Sequence, residues 1–460
     1  MFNSEIYISR RQQLKKQVNS GVILLLGNEE SSKNYKANWY HFRQDSSFLY
    51  FFGLDRANLA GVIDIDNNTE IIFGDEATVE DIVWMGTPEP LREQAQRTGI
   101  TTVKPLNTLE EFIKTVVGKK QQIHFLPPYR PENVLKLSSW LAIPPDLLKQ
   151  KASVPLIKAI VAQRSIKIPE EIQELDKAIN TTIDMQMTAI KAAALGLTEA
   201  NIAAQVHQVA ISAGGNLAFP TILTVNGQIL HNHYSNTILQ AGQMVLCDCG
   251  AESERHYGGD LTRTFPVNEK FTNQQREVYN IVLSAYLAAV DKLSPGVLYK
   301  DVHLLACEKL VEGLQQLGLM KGDAKEAVVQ GAHALFFPCG LGHMLGLDTH
   351  DMEDLGEEYV GYTDDLKKST QFGLKSLRLG RALEPGFVLT VEPGLYFNPE
   401  LMDQWAANNT LSQFINYNNL NAFRHFGGIR MEEDYLITPA GSQLLGKPLA
   451  LTAESIESLR

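Results

Sequence analysis

The sequence predicts a mixed α/β protein with more than one domain, and three observations support this class. The chain has 460 residues, which at about 150 residues per domain corresponds to two or three domains. Short apolar runs bounded by turn residues alternate with longer amphipathic stretches, which is the pattern of strands and helices that pack on one another. The composition of 44% hydrophobic and 20% charged residues is that of a globular protein rather than a disordered or fibrous one.

The first third of the chain is predicted to form a small α/β domain with a mixed sheet. We expect a helix over residues 6–18 and strands at 22–26, 60–65 and 70–73, the last two joined by the turn Asp66-Asn67-Asn68. The apolar run at 22–26 has only five residues and follows an amphipathic stretch, which indicates a buried strand rather than the core of a signal peptide. No apolar run approaches the roughly 18 residues of a membrane span. We therefore expect no membrane partner.

Prolines accumulate between residues 127 and 170 and indicate a connection between domains, because prolines at this density break regular elements. We place the boundary near residue 168, which divides the chain into domains 1–168 and 169–460. Pro169 is expected to open a long helix that ends before Gly196, since proline suits the first helical position. Further helices are predicted at residues 199–213, 273–293 and 300–317.

Charge and cysteine content exclude some classes of function. Lys and Arg total 41 and Asp and Glu total 53, so the net charge is 41 − 53 = −12, which disfavours nucleic acid as a partner. The four cysteines are too few for a disulfide scaffold in a chain of this length, and they suit a reducing cytoplasm.

Four strand-like segments of the second domain contain a carboxylate where a strand usually has an apolar residue. These are Asp248, Asp260, Glu392 and Glu432, and His343 in a glycine-rich stretch adds an imidazole. Several ionised carboxylates are buried together only when cations or protons compensate them. One imidazole among oxygen ligands suits hard or borderline divalent ions such as Mn²⁺, whereas a structural zinc site uses Cys and His. Two such ions activate water and polarise an acyl oxygen, which is what amide hydrolysis requires.

The strings that contain these residues occur in order along the chain. They are Asp248-Cys249-Gly250 with residues 259–265 (Gly-Asp-Leu-Thr-Arg-Thr-Phe), residues 340–351 (Gly-Leu-Gly-His-Met-Leu-Gly-Leu-Asp-Thr-His-Asp), 389–396 (Leu-Thr-Val-Glu-Pro-Gly-Leu-Tyr) and 427–434 (Gly-Gly-Ile-Arg-Met-Glu-Glu-Asp). Together they resemble the pita-bread metallopeptidases, in particular the prolidase and aminopeptidase P branch. Residues 42–46 and 83–86 resemble the first domain of that branch. The resemblance implies an α/β (α+β) chain, with an N-terminal creatinase-like domain before a pita-bread catalytic domain, assembled as a homodimer or a tetramer.

Roles for individual residues follow from the resemblance. It implies that two divalent ions per subunit, Mn²⁺ with Co²⁺ or Zn²⁺ as alternatives, are held by Asp248, Asp260, His343, Glu392 and Glu432, with Asp260 and Glu432 bridging them. It also implies that Glu392 is the general base, and that His233 and His350 contact the scissile carbonyl and the nitrogen side of the bond. His231 lies two residues from His233 on the same strand face and competes with it for that role.

The substrate implied by the resemblance is a peptide with proline in second position. Prolidases cleave Xaa-Pro dipeptides and aminopeptidases P accept longer chains. The 40-residue step from Glu392 to Glu432 and the string Gly373–Arg378 favour prolidase. Arg378 matches an arginine thought to hold the substrate carboxylate, although an ion-pairing surface arginine is the alternative. A rival of another class is a binding protein on the same fold, but such relatives lack the ligands that this chain has.

The sequence departs from its relatives at two positions. Cys339 stands where many relatives have a histidine, four residues before the ligand His343. The step from Asp248 to Asp260 is twelve residues where relatives commonly have eleven, which predicts a longer or bulged turn near Arg255-His256.

Four further residues have alternative interpretations. Cys247 and Cys249 are interpreted as buried strand residues rather than a zinc pair, since no second pair exists. Arg430 shares a strand face with Glu432 and is expected to hold it in place. Trp84 is most simply a core residue, and the alternative from the resemblance places it near the pocket of a neighbouring subunit.

Overall fold

A computed structural model describes all 460 residues of the chain. The chain divides into two units, residues 1–164 and 165–460. Both units contain strands and helices, so the predicted mixed α/β class is confirmed. None of the helices combines the length and the apolar character needed to cross a bilayer.

The first unit contains a five-stranded mixed sheet of order β4-β3-β2-β1-β5. The three central strands pair antiparallel, with Val22 opposite Asp64, and the two outer strands pair parallel to their neighbours. The Asp64 side chain accepts a hydrogen bond of 3.1 Å from Asn67 N, which closes the predicted turn after the second strand. All three predicted strands are present. The strands are β1 (Val22–Leu26), β2 (Ala60–Asp64), β3 (Thr69–Phe73), β4 (Thr102–Lys104) and β5 (Ile123–His124).

The proline-rich stretch is more helical than the sequence predicts. Pro131 begins an eleven-residue helix, and Pro155 lies in the first turn of another. The expectation that these prolines only break elements was wrong, because a proline in the first turn costs no helical hydrogen bond. The helices of the first unit are α1 (Ser4–Val18), α2 (Ser46–Phe52), α3 (Val79–Met85), α4 (Leu91–Arg97), α5 (Leu109–Gly118), α6 (Pro131–Leu141), α7 (Leu148–Lys151) and α8 (Val154–Arg164).

Trp84 does not lie in the core of the first unit. Its side chain is 77% exposed, and no residue of α3 is buried. The core interpretation of Trp84 was therefore wrong. Val79, Val83 and Met85 are exposed on the same helix.

The second unit begins with the predicted long helix. Pro169 occupies its first turn, and the Ile168 amide before it donates 3.1 Å to the Glu171 carboxylate, which caps the helix. Gly259 approaches the middle of this helix so closely that a Cβ atom there would lie 2.9 Å from Ile179 Cα. The helices are α9 (Pro169–Ala192), α10 (Glu199–Ser212), α11 (Asn273–Lys292), α12 (Tyr299–Gln316), α13 (Ala324–Val329), α14 (Glu357–Val360), α15 (Pro399–Ala407) and α16 (Ala453–Glu457).

The strands of the second unit form four small antiparallel sheets, of order β10-β8-β7, β11-β14-β15, β12-β13 and β6-β9. Every residue of β8 and of β10 is buried, so these strands form the centre of the unit. His256 has φ 66° in the turn between β9 and β10, the segment where the twelve-residue step predicts a longer or bulged turn. The strands are β6 (Asn216–Leu217), β7 (Ile222–Thr224), β8 (Met244–Cys249), β9 (Ala251–Glu252), β10 (Leu261–Pro266), β11 (Val388–Val391), β12 (Gly394–Tyr396), β13 (Gly428–Arg430), β14 (Glu433–Thr438) and β15 (Gly441–Leu444).

Candidate active site

One cavity of about 350 Å³ in the second unit is lined by every site residue that the sequence predicts. Its wall also includes apolar side chains such as Phe219 and Leu230, together with His231, Cys339 and Arg430. Residues far apart in the chain therefore converge on one concave surface, which is the usual form of a small-molecule or peptide site. The predicted residues that line the cavity are His233, Asp248, Asp260, His343, His350, Arg378, Glu392 and Glu432.

The sheets bring the four carboxylates together at the ends of neighbouring strands. Asp248 lies on the central strand β8, opposite Thr262 of β10. Asp260 directly precedes β10 and Glu392 directly follows β11. Glu432 lies between β13 and β14 and is joined to β10 by a backbone bridge, in which its amide donates 3.1 Å to Thr262 O. Short antiparallel pairings thus place four acids around one point.

His343 lies among these carboxylates. Its Nε2 is 3.4 Å from Asp260 Oδ2 and 3.6 Å from Glu392 Oε1. Its Nδ1 is 3.0 Å from the Met344 carbonyl, which only accepts, so Nδ1 is the protonated nitrogen. In a neutral ring Nε2 therefore has a lone pair directed at carboxylate oxygens. Asp260, His343 and Glu432 are buried, and each has one ligand atom within 4.8 Å of the ligand atoms of the other two.

Burial and mutual repulsion disfavour the charged forms of these acids. Burial, and then the neighbouring carboxylate of Asp248, raises the pKa of Asp260 well above its ordinary value. Burial, and then Asp260, raises the pKa of Glu432 in the same way. Burial raises the pKa of Glu392 to about 7. Without a cation this cluster therefore binds protons, and a bound cation is the alternative compensation.

Asp248 provides the clearest sign that the cluster fits a metal. Its Oδ2 accepts a hydrogen bond of 2.5 Å from Arg430 Nη2, whereas its Oδ1 is buried and has no hydrogen-bond partner. A buried carboxylate oxygen without a partner is costly, and a metal ion removes that cost. Carboxylates with one imidazole are the donor set of hard and borderline divalent ions. The residues present therefore fit divalent metal.

Arg430 contacts Asp248 directly and Glu432 through one intervening residue. It pairs directly with Asp248, and it reaches Glu432 only through Thr262. Arg430 Nε donates 3.2 Å to Thr262 Oγ1, and that hydroxyl donates 2.7 Å to Glu432 Oε2. Its Nη1 donates 3.0 Å to the Tyr396 hydroxyl. One guanidinium thus orients two of the carboxylates.

His350 and Arg378 lie together at one side of the cavity. The His350 ring centroid is 4.5 Å from that of His343, and its Nδ1 is 2.5 Å from Glu353 Oε2. The hydrogen bond from His350, and then the charge of Arg378, lower the pKa of Glu353 to about 2. Arg378 Nε is 3.5 Å from Glu353 and 3.5 Å from Glu357. Arg378 therefore lines the cavity and is also ion-paired, so both of its interpretations have a structural basis.

His231 and His233 both line the cavity, which leaves their competition open. His233 Nδ1 is 3.3 Å from the Thr221 carbonyl, and a backbone bridge joins His233 to Ile222 of β7. No hydrogen bond in the structure orients the His231 ring, and burial lowers the pKa of that ring. The hydrogen bond to Thr221 orients the His233 ring, which favours His233 over His231 for the predicted contact with substrate.

Sequence reasoning missed three residues that support the site. Thr262 bridges Arg430 and Glu432, and it lies two residues after Asp260 on the same strand face. Asp434 accepts a 3.0 Å hydrogen bond from the Asp260 amide, and it lies two residues after Glu432. Period-two alternation was the signal for both. Glu353, three residues after His350, had no comparable signal.

The cysteines near the site have different environments. Cys247 and Cys249 are fully buried, their sulfurs are 3.9 Å apart, and neither lines the cavity. Cys339 does line the cavity, with its sulfur 4.0 Å from the Tyr396 hydroxyl. Burial raises the pKa of Cys339 to about 12, so the cavity wall contains a neutral thiol at this position.

Two known protein families together match most of the chain. Residues 170–439 match Metallopeptidase family M24, and residues 7–124 match the aminopeptidase P N-terminal domain. The first match contains every residue of the cavity described above. The predicted fold of two such domains is therefore confirmed.

Individual relatives match over similar lengths. Human Xaa-Pro dipeptidase is 30% identical over 450 residues, covering 95% of this chain and 88% of the relative. A probable Xaa-Pro aminopeptidase of Podospora anserina is 31% identical, covering 93% of this chain and 90% of the relative. Zinc-substituted Escherichia coli aminopeptidase P in complex with product superposes with a TM-score of 0.81 at 28% identity, covering 100% of this chain and 98% of that one.

Proposed function

The chain belongs to metallopeptidase family M24, and from this premise we propose that it hydrolyses the bond between an N-terminal residue and a following proline. The observation that carries this proposal is the single cavity lined by five candidate metal ligands, two histidines and an arginine. Xaa-Pro dipeptidase and Xaa-Pro aminopeptidase are the named activities of its relatives. A binding protein on the same fold would not require these ligands.

The proposal includes two divalent ions per subunit, held by Asp248, Asp260, His343, Glu392 and Glu432. Bound ions of this class neutralise the acids, activate water and polarise an acyl oxygen. Mn²⁺ is the ion we favour because four of the five donors are carboxylates, and Co²⁺ and Zn²⁺ remain alternatives. The proposed bridging ligands are Asp260 and Glu432, whose ligand atoms lie within 4.8 Å of each other and of a ring nitrogen of His343.

The side chains around the metal ligands have distinct proposed roles. Glu392, whose carboxylate lines the cavity 3.6 Å from His343 Nε2, accepts a proton from the attacking water. His233 contacts the scissile carbonyl, and His350 contacts the nitrogen side of the bond. The hydrogen bond from His350 to Glu353 orients that ring. A proline nitrogen has no hydrogen to donate, so contacts to the carbonyl are especially important for this substrate.

We favour the dipeptidase over the aminopeptidase P activity because of Arg378. Its side chain lines the cavity and is 32% exposed, so we propose that it binds a substrate carboxylate. A guanidinium binds a carboxylate with two parallel hydrogen bonds, which suits the free carboxyl group of a dipeptide.

A peptide panel tests both levels of the proposal. With Mn²⁺ supplied, we expect hydrolysis of Xaa-Pro dipeptides and little hydrolysis of Xaa-Pro-Yaa tripeptides. Arg378→Gln should raise KM for dipeptides at least tenfold, whereas Lys375→Gln, three residues earlier and exposed outside the cavity, should not. Preferential cleavage of tripeptides would favour aminopeptidase P activity. No cleavage of either substrate by metal-loaded protein would overturn the function.

The remaining parts of the proposal concern domains, assembly and location. We retain domains 1–168 and 169–460, a homodimer with a tetramer as alternative, and a cytoplasmic location. The exposed apolar side chains of α3, including Trp84, support self-association. All four cysteines are free, which suits a reducing compartment. Light scattering of wild type and Trp84→Ser tests the assembly, and an unchanged mass would exclude α3 from the interface.

A further inference from the structure

A second group of metal-ligand side chains lies outside the lining of the candidate active site. His303 and Cys307 are one turn apart on α12, and His333 lies in the short 3-10 turn at residues 332–335. All three are buried, with exposed fractions of 0%, 0% and 1%. One ligand atom from each lies within 4.8 Å of the other two. None of the three lines the active-site cavity.

The separation of the Cys307 and His303 ligand atoms suits two ligands of a tetrahedral ion. Zinc bonds of about 2.0 Å to nitrogen and 2.3 Å to sulfur place two ligand atoms of a tetrahedron about 3.5 Å apart. Cys307 Sγ and His303 Nε2 are 3.5 Å apart. An i, i+4 pair on a helix presents both side chains to one side, and the third ligand comes from a separate segment. The ligand atom of His333 lies within 4.8 Å of the other two, so it must approach by at most 4.8 − 3.5 = 1.3 Å to reach the same separation.

The polar atoms of this group are poorly satisfied. Neither nitrogen of His333 has a hydrogen-bond partner, and His303 Nδ1 also has none, although all three atoms are buried. A neutral imidazole has one N–H and one lone pair, and burying both without partners is costly. Burial lowers the pKa of His333 to about 4, so the ring is neutral and its lone pair is available. The rings of His303 and His333 meet edge to face at 6.2 Å.

We propose that His303, Cys307 and His333 bind one zinc-like cation, additional to the ions of the active site. Two imidazoles and a thiolate are the donor set of borderline and soft cations, whereas the carboxylate-rich active site suits harder ones. On binding, the Cys307 sulfur loses its proton to solvent and forms a bond to the cation, and each histidine contributes a lone pair.

The proposed ion would stabilise the segment that leads into the active site. His333 precedes the loop that contains Cys339 and His343. Helix α12 also contacts that loop directly, because the Tyr299 hydroxyl donates 3.2 Å to the Leu341 carbonyl. A cation that joins α12 to the turn at His333 therefore adds a second connection between this helix and the loop.

Cobalt replacement tests the proposal by a signal that the active site does not give. The protein is produced with Co²⁺ as its only added transition metal, and its near-ultraviolet absorption is recorded. Thiolate bonded to Co²⁺ gives a charge-transfer band, whereas carboxylate and imidazole ligands do not. We expect this band in wild type and its loss in Cys307→Ser, together with the loss of one cobalt equivalent per chain.

Three control variants test whether Cys307, rather than another thiol or the active site, gives the absorption band. Cys339→Ala removes the thiol that lines the active-site cavity, and Cys247→Ala removes a buried thiol on β8. Both should keep the band. Asp260→Asn removes a proposed active-site ligand and should also keep the band while it loses activity. Failure of the proposed peptidase function is therefore distinguishable from failure of this site.

Several results of these measurements would overturn the proposal. Wild-type protein without a thiolate band overturns it, and so does a band that persists in Cys307→Ser or disappears in Cys339→Ala. If Cys307→Ser does not fold, His333→Gln provides the second test. That variant should bind one cobalt equivalent fewer than wild type, and an unchanged stoichiometry overturns the proposal.

Discussion

Arg430 donates a 2.5 Å hydrogen bond to one carboxylate oxygen of Asp248 and leaves the other oxygen buried without a partner. The guanidinium also contacts Thr262 and Tyr396, so its position is determined by three partners. Asp248 is therefore held with one oxygen available for a cation. This arrangement is a common way to orient a metal-binding carboxylate.

Replacement of Arg430 should weaken metal binding. Arg430→Met removes the three donors, and we expect metal affinity to fall about 10- to 100-fold, as is typical for partners that orient metal ligands. Titration of metal-free protein with Mn²⁺, followed by peptide hydrolysis, measures the change. Arg276→Lys, in an ion pair with Glu454 outside the cavity, is the control and should bind Mn²⁺ like wild type. Equal affinity of Arg430→Met and wild type would contradict the role.

The buried ion pair of Lys167 and Asp351 should be important for stability. Their side chains are 2.8 Å apart, and each is 1% exposed. Asp351 lies in the loop that contains both His343 and His350. Lys167→Met removes the buried ammonium that pairs with Asp351, and we expect a loss of about 3–5 kcal/mol in the free energy of unfolding.

The measurement for this pair is urea denaturation at pH 7. Lys177→Met is the matched control, because Lys177 pairs with Glu174 at 2.7 Å but is 66% exposed. The free energy of unfolding of Lys177→Met should fall by at most about 1 kcal/mol. The double variant Lys167→Met/Asp351→Leu should recover part of the stability. Similar losses of unfolding free energy in Lys167→Met and Lys177→Met would exclude a special contribution from the buried pair.

The stability of metal-free protein should fall as pH rises. The folded-state pKa of Glu392 is about 7, above its ordinary value of 4.5, so its contribution is fully present below pH 4.5 and is lost towards pH 7. A shift of this size corresponds to about 3 kcal/mol. Urea midpoints of chelated protein between these pH values measure the trend. Glu392→Gln should reduce the slope, and an unchanged slope would show that other groups cause it.

Two neighbouring histidines should differ in their effect on catalysis. His233 is tethered through Nδ1 to the Thr221 carbonyl, whereas no hydrogen bond orients His231. We expect His233→Gln to reduce kcat by about 10²–10³, the usual cost of losing one donor to a developing oxyanion. His231→Gln should reduce it less than tenfold. Steady-state rates on an Xaa-Pro dipeptide decide between them, and the reverse order would assign the role to His231.

The elements of the chain were largely predictable because their patterns are local. The strand at Val22–Leu26 is an uninterrupted apolar run, and helix α9 begins at a proline with acidic residues after it. Helices in the proline-rich stretch were missed because proline disfavours a helix interior but suits its first turn. Trp84 was misassigned because the sequence of a short helix does not show whether another part of the protein covers its aromatic side chain.

The sequence by itself identified the four carboxylates that line the cavity, because a carboxylate at the end of an apolar strand is recognisable from its immediate neighbours. It also determined their order along the chain. Only the tertiary structure decided which groups pair there, such as Arg430 with Asp248 and Glu353 with His350. It alone brought His333 to Cys307. The physical reason is that side-chain periodicity describes one strand or helix, whereas these contacts depend on distances and angles between elements that the local pattern does not contain.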